Sequence, residues 1–161
     1  AGQLDLAFEA FDRAIEASPT DESVRQARAV LAYRINDFAQ ALDSFSTPCE
    51  GEWLSDLIAG RALRELGQAD RALRCFERAY ESEPDPPYTG LYLANQLART
   101  AEFERADQIF QSLLIKHPYF DKAIENYAYL KFDRGQGDAA EILATRAVRM
   151  RDLLLTEAVE H

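Results

Sequence analysis

The chain has 161 residues, of which 47% are hydrophobic, so it carries the apolar material for a packed core and is not a disordered segment. Acidic residues number 28 against 18 Lys and Arg, a net charge of -10 that repels phosphate backbones and excludes nucleic acid as the expected partner. No apolar run approaches the roughly twenty residues that span a bilayer, and the first residues lack the basic head and apolar stretch of a signal peptide, so no membrane partner is expected.

Ala, Leu, Glu, Arg and Gln dominate, residues that lose little on entering a helix, and every predicted element is helical. The first runs from about Leu4 to Ala17, with Ala7, Phe11 and Ala14 on one face and Pro19 closing it. A turn at Asn36-Asp37 then separates a helix carrying Val30, Tyr33 and Arg34 from one carrying Ala41 and Phe45. Pro48 cuts that second helix, which predicts a kink or irregular loop around Ser46 to Glu52. An apolar stripe of Leu57, Ala59, Gly60 and Leu63 follows, then a turn at Gly67-Gln68 and a helix with Ala72, Phe76 and Ala79 closed by Pro84. The pattern returns as Leu93, Ala94 and Leu97, a turn at Thr100-Ala101, and Ala106, Phe110, Leu113 and Pro118. Last come Ile124, Tyr127, Ala128 and Leu130, the turn Gly135-Gln136-Gly137, and a helix bearing Ala140, Leu143, Ala144 and Ala147 that continues without proline to Leu153, Leu154 and Val159. Asp138 with Glu141 reads as a capping box at its start, and Glu141, Arg146, Arg149, Arg151 and Glu157 as its wet outer side.

The leading small residues Ala7, Ala41, Ala72, Ala106 and Ala140 are spaced 34, 31, 34 and 34 apart, so one helical hairpin recurs along the chain. On this period and on the Ala…Phe…Ala…Pro figure, the chain resembles the tetratricopeptide repeat family over essentially its whole length. The resemblance implies an all-α, right-handed superhelical solenoid of antiparallel helix pairs, about four and a half units long. Residues 1–19 would form a half repeat with the second helix only, 20–52 an irregular shortened repeat, 53–86 and 87–120 full repeats, and 121–161 a repeat ending in an extended capping helix. Two departures stand out: Trp53 lies three residues earlier than the family's usual aromatic, and the second unit is three residues short.

In this family the first helix of each pair lines a concave face that holds a segment of another protein. Carried over by position, the resemblance makes Tyr33, Arg34, Leu54, Arg61, Arg64, Tyr88, Tyr92, Asn95, Arg99, Lys122, Asn126 and Tyr129 the candidate partner-binding residues, with Val30, Leu57, Ile58, Leu91 and Phe132 beside them. Tyr and Arg are the residue types that anchor interfaces, although Tyr33, Leu57, Leu91 and Tyr129 are equally at home between helices. Asn95 and Asn126 match two asparagines of the family's carboxylate clamp, but Leu91 stands where a clamp lysine belongs. The chain is therefore read as a protein-protein interaction module within a larger protein. The alternative is a scaffolding or oligomerisation segment, or a secretion-type chaperone.

No catalytic role is expected, since the sequence has no GxSxG, HExxH or GxxxxGKS motif. Cys49 and Cys75 form no CxxC pattern and His117 and His161 have no ligand-spaced partner, so neither disulfide nor metal site nor cofactor is predicted. Cys75 reads as a small packing residue and Cys49 as exposed. A cytoplasmic setting fits, or a periplasmic one within a larger secreted or anchored protein. Gly2 precedes Ala7 by five residues, as Gly67 precedes Ala72 and Gly135 precedes Ala140, which predicts that the chain opens in an inter-helix turn. Leu4, Phe8 and Phe11 would then lack a partner helix, either because the chain is cut from a longer array or because a second copy docks there to form a homodimer.

Overall fold

The computed structural model describes residues 2–159, with side chains for residues 2–149. The expectations for Arg151, Leu153, Leu154, Glu157 and Val159 as side chains, and for His161, lie outside the described residues. Within them the chain is all helix: α1 (Gly2–Ala17), α2 (Glu22–Arg34), α3 (Phe38–Asp43), α4 (Trp53–Glu65), α5 (Ala69–Ser82), α6 (Pro87–Arg99), α7 (Phe103–Lys116), α8 (Asp121–Asp133) and α9 (Gly137–Val159). They divide into two compact units, Ala1–Glu83 and Pro84–His161.

Each hairpin closes in the same way. Asn36, Gly67, Ala101 and Gly135 adopt positive φ (62°, 74°, 64° and 71°), which turns the chain out of the preceding helix. The amide after each donates back across the helix end: Asp37 to the Ala32 carbonyl at 2.9 Å, Gln68 to Leu63 at 2.9 Å, Glu102 to Leu97 at 2.8 Å and Gln136 to Lys131 at 2.9 Å. These are Schellman closures, and they satisfy carbonyls that the helix end leaves open. Gly2, by contrast, belongs to α1 and makes no turn. Helix starts are capped where an Asp precedes them: Asp21 accepts from Ser23 N–H and Asp37 from Gln40 N–H, each at 3.0 Å. Asp138 lies inside the first turn of α9, which begins at Gly137, so it is not the cap that the Asp138-Glu141 spacing suggests.

The core of the first unit is the face of α5 against α4. Ala72, Cys75, Phe76 and Ala79 are fully buried, as is Leu63 of α4, while Ala62 of α4 is buried in a separate cluster with Ala32 and Ala41. Gly60 faces the Phe76 ring so closely that a Cβ there would meet Cε1 at 2.6 Å. Burying such a ring contributes about 3 kcal/mol by area. In the second unit Ala106 and Phe110 on α7 are fully buried, as are Ala94 and Leu97 on α6, and the Phe110 ring stacks on Tyr127 of α8 with centroids 5.1 Å apart. Ala140 and Ala147 are buried on α9. Ala144, at the register position of Phe76 and Phe110, is exposed.

The region that Pro48 interrupts is irregular. Helix α3 ends at Asp43, and turns carry the chain through residues 46–51, although Phe45 is still buried. Here the structure corrects the reading of the cysteines: Cys49 and Cys75 form a disulfide, with Cα atoms 4.6 Å apart. Cys75 is fully buried as a packing residue would be, but Cys49, at a φ of 69°, is turned onto α5 and only half-exposed.

Candidate functional site

In the first unit the C-terminal halves of α2 and α4 lie side by side. Their 3.6-residue period directs Val30, Tyr33 and Arg34 of one and Ile58 and Arg61 of the other into a common hollow of about 150 Å³. The Arg61 guanidinium lies over the Tyr33 ring, 4.4 Å from its centroid, a cation–π contact that fixes both side chains. Tyr33 also meets Phe38 at 5.3 Å, which backs the ring with the cluster of Ala32, Ala41 and Ala62. Val30 is 43% exposed at the rim while Ile58 is buried at the floor. The hollow thus offers an apolar base, an aromatic wall and two guanidiniums, in a chain whose net charge is -10.

Leu54 and Arg64 do not line this hollow. Arg64 is held 2.9 Å from Glu65 by an ion pair. Of the residues placed beside the groove by position, Ile58 forms the buried floor of the hollow, whereas Leu57 and Leu91 are core residues. One residue of helical phase, about 100°, separates the two faces. In the second unit Tyr88 packs edge-on against Phe120 at 5.2 Å. Tyr92, Asn95 and Asn126 are half-buried, Arg99 and Lys122 are exposed, and Tyr129 and Phe132 stand about 70% in solvent.

At α1 the three contact candidates separate. Phe8 is turned inward onto the Ala32, Ala41 and Ala62 cluster, with Arg28 5.4 Å above its ring, so it does not belong to an open surface. Leu4 is 40% exposed. Phe11 lines a shallow apolar groove of about 520 Å³ together with Ala7, Ala10, Ala14, Val24 and Ala27.

Two polar networks have no counterpart in the local sequence pattern. In the first unit Asp56 is fully buried, accepting from Gly51 N–H at 3.0 Å and Arg78 Nε at 3.2 Å, and loss of solvent raises its carboxyl above the usual range in spite of those bonds. Glu22 accepts from the Ser55 hydroxyl at 2.6 Å, and Ser55 accepts from Gln26 at 3.0 Å. In the second unit Asp107 joins α7 to α8: it pairs with Lys131 and accepts from Tyr127 at 2.8 Å and Gln111 at 2.6 Å. Burial pushes its carboxyl up, but these donors outweigh it and hold it below the usual range. Apart from the bonds from Gly51 and Gln111, both networks pair residues of different helices, 20 to 33 residues apart in sequence. Among the described residues no group of three His, Cys, Asp or Glu is placed to hold a metal ion, and no helix is long and apolar enough to cross a membrane.

Residues 57–86 match the family model of the tetratricopeptide repeat. Among curated proteins no sequence matches the chain. The fold is similar to that of MamA, with a TM-score of 0.80 at 17% identity, covering 96% of this chain and 92% of that one. It is also similar to YrrB, described as a TPR protein with an unusual peptide-binding site (TM-score 0.77, 17% identity, 99% and 85% covered). A third likeness is to TTC0263, a thermophilic TPR protein of Thermus thermophilus (TM-score 0.71, 19% identity, 99% and 89% covered). At these identities the likeness is one of fold.

Proposed function

We propose, from the premise that this chain carries a tetratricopeptide repeat within the fold of such proteins, that it binds a segment of another protein on its first-helix faces. The observation that carries the reading is the hollow between α2 and α4, where Tyr33, Arg34 and Arg61 converge over Ile58. Aromatic and guanidinium groups over an apolar base are what interface anchors are made of, and YrrB offers a precedent for peptide binding on this fold. The exposed Tyr129, Lys122 and Arg99 of the second unit extend the same role. The chain is not an enzyme on this reading, and its partner is a polypeptide and neither nucleic acid nor membrane. The Cys49–Cys75 disulfide supports an oxidising compartment, as a periplasmic setting would be, over the cytoplasm.

The test is a peptide-display selection against the wild-type chain. Peptides so selected lose about tenfold in affinity when Arg61 is replaced by alanine, with helicity retained, while Arg74→Ala on the exposed side of α5 changes nothing. Equal affinity for wild type and Arg61→Ala would refute the site.

A second reading rests on the Phe11 groove, which gives a homodimer or a scaffold contact an apolar seat. Phe11→Glu should render a dimer monomeric by light scattering. A wild-type chain that is monomeric at high concentration would refute this reading.

A further inference from the structure

We propose that the Cys49–Cys75 disulfide is a positioning lock on the α2–α4 hollow, standing in for the helical turns that α3 lacks, so that thiol reductants lower partner affinity. The proposal rests on the hollow being the binding site.

The second helices α5 and α7 are each 14 residues long, whereas α3 has 6. The register places residues 46–51 where α5 has residues 77–82, its last turn and a half. In α5 that stretch holds itself in place through its own ladder of amide bonds. In the shortened unit three ties to three different helices replace the ladder. Arg28 of α2 donates to Ser44 Oγ at 2.9 Å, the Gly51 amide donates to Asp56 of α4 at 3.0 Å, and Cys49 is bonded to Cys75 of α5. The loop is therefore the piece where α2, α4 and α5 meet, and the disulfide is its one covalent tie.

The hollow is bounded by two of those helices. Away from it, α2 and α4 are joined by Glu22 and Gln26 on Ser55, at their N-terminal ends. At the C-terminal ends, where the hollow opens, the Arg61–Tyr33 contact lies across the gap. The loop meets α2 and α4 toward their N-terminal ends, so it reaches the hollow through α3: freed from α5, it lets α3 shift, and Phe38, 5.3 Å from the Tyr33 ring, no longer backs that ring beneath the Arg61 guanidinium.

The chemistry is thiol–disulfide exchange. A dithiol reductant attacks the half-exposed Cys49 sulfur, the bond to Cys75 breaks, and a second attack releases Cys49. The reductant leaves as a cyclic disulfide and its two protons end on the two protein thiols. Cys75 stays seated in the core, so a small-molecule disulfide can close the bond again.

The experiment uses the whole chain. Thiol titration of denatured protein purified without reductant should find no free thiol; finding two would overturn the proposal. Amide hydrogen exchange is then followed with and without dithiol. Residues 44–52 and the C-terminal half of α2 should exchange about tenfold faster once reduced, the second unit should not change, and emission from Trp53, the sole tryptophan, should shift to the red. Cys49→Ser should reproduce the reduced pattern without reductant. It keeps the buried Cys75, so it folds even where Cys75→Ala does not. Unchanged exchange at residues 30–34 on reduction would overturn the lock. With a display-selected peptide, reduction should cost about tenfold in affinity and should cost nothing further in Cys49→Ser. A peptide sensitive to Arg61→Ala but indifferent to reduction refutes the lock alone. A peptide indifferent to Arg61→Ala refutes the binding site, while the exchange data still judge the lock.

Discussion

Replacing Gly60 by alanine puts a methyl group 2.6 Å from Cε1 and 2.8 Å from Cδ1 of Phe76, and 3.1 Å from Cβ of Cys75. Two effects of opposite sign compete. Inside a helix, alanine is favoured over glycine by about 1 kcal/mol. Against this, the Phe76 ring is fully buried between α4 and α5 and has nowhere to retreat, and overpacking of this kind costs about 1–3 kcal/mol. Contacts under 3 Å to a closed-in ring belong at the upper end of that range, so the net effect is a destabilisation of about 1–2 kcal/mol. In a chain of this length that lowers the melting temperature by about 2–8 °C, read by far-UV circular dichroism with a urea titration beside it. Phe76→Leu removes the atoms in the way. In that background Gly60→Ala should become neutral or stabilising, a coupling of at least about 1 kcal/mol between the two positions. The pair 34 residues later, Ala94 and Phe110, is fully buried with the methyl present, so the penalty belongs to the closer approach of α4 and α5. A Gly60→Ala chain as stable as wild type would refute the reasoning.

Ala101 holds a left-handed φ of 64° at the register position that Gly67 and Gly135 occupy in neighbouring hairpins. Ala101→Gly should stabilise the chain by about 1 kcal/mol in urea melts. Asp56 and Asp107 should give opposite pH signatures. The raised carboxyl of Asp56 favours folding below its unfolded value of 3.8, and that contribution fades as pH climbs through its folded value. The depressed carboxyl of Asp107 stabilises above 3.8 and loses this as pH falls through its folded value. Comparing each Asn variant with wild type across pH 2–7 should therefore show slopes of opposite sign, and like signs would contradict both assignments. Phe8→Glu should unfold the first unit by about 3 kcal/mol or more, as a charge forced onto the Ala32, Ala41 and Ala62 cluster; a stable, merely monomeric variant would place Phe8 back on the surface.

What could be read from the sequence was what repeats locally. Ala72, Phe76 and Ala79 announce a buried face because their spacing is helical and small residues admit a neighbouring helix. Pro48 announces the broken α3 because it cannot donate an amide. The turns at Asn36, Gly67 and Gly135 fall where residue type and period agree, and the turn at Ala101 falls where the period alone places it. Features decided between distant residues were hidden. The disulfide joins positions 26 apart, and only the path of an irregular loop brings them together. Asp107 and Lys131 meet because α8 crosses α7 at a particular height. Leu57 and Leu91 are core because one residue of helical phase separates the groove face from the packed one, and Phe8 finds its cover in Ala32, Ala41 and Ala62 of later helices, which the pattern of α1 alone does not contain. The convergence of Tyr33 with Arg61 depends on how α2 lies against α4, which no pattern within either helix contains.

The four Schellman closures bear on how the chain acquires its structure. Each joins two helices through a contact only five residues apart in sequence, so the entropy of closing every hairpin is small and none need wait for another. Folding can begin at α4–α5, whose small-residue face packs deepest, and spread outward pair by pair. The α2–α3 hairpin gains less from its own half-length second helix and should be the later of the first unit's two hairpins to acquire protection in a pulse-labelling experiment.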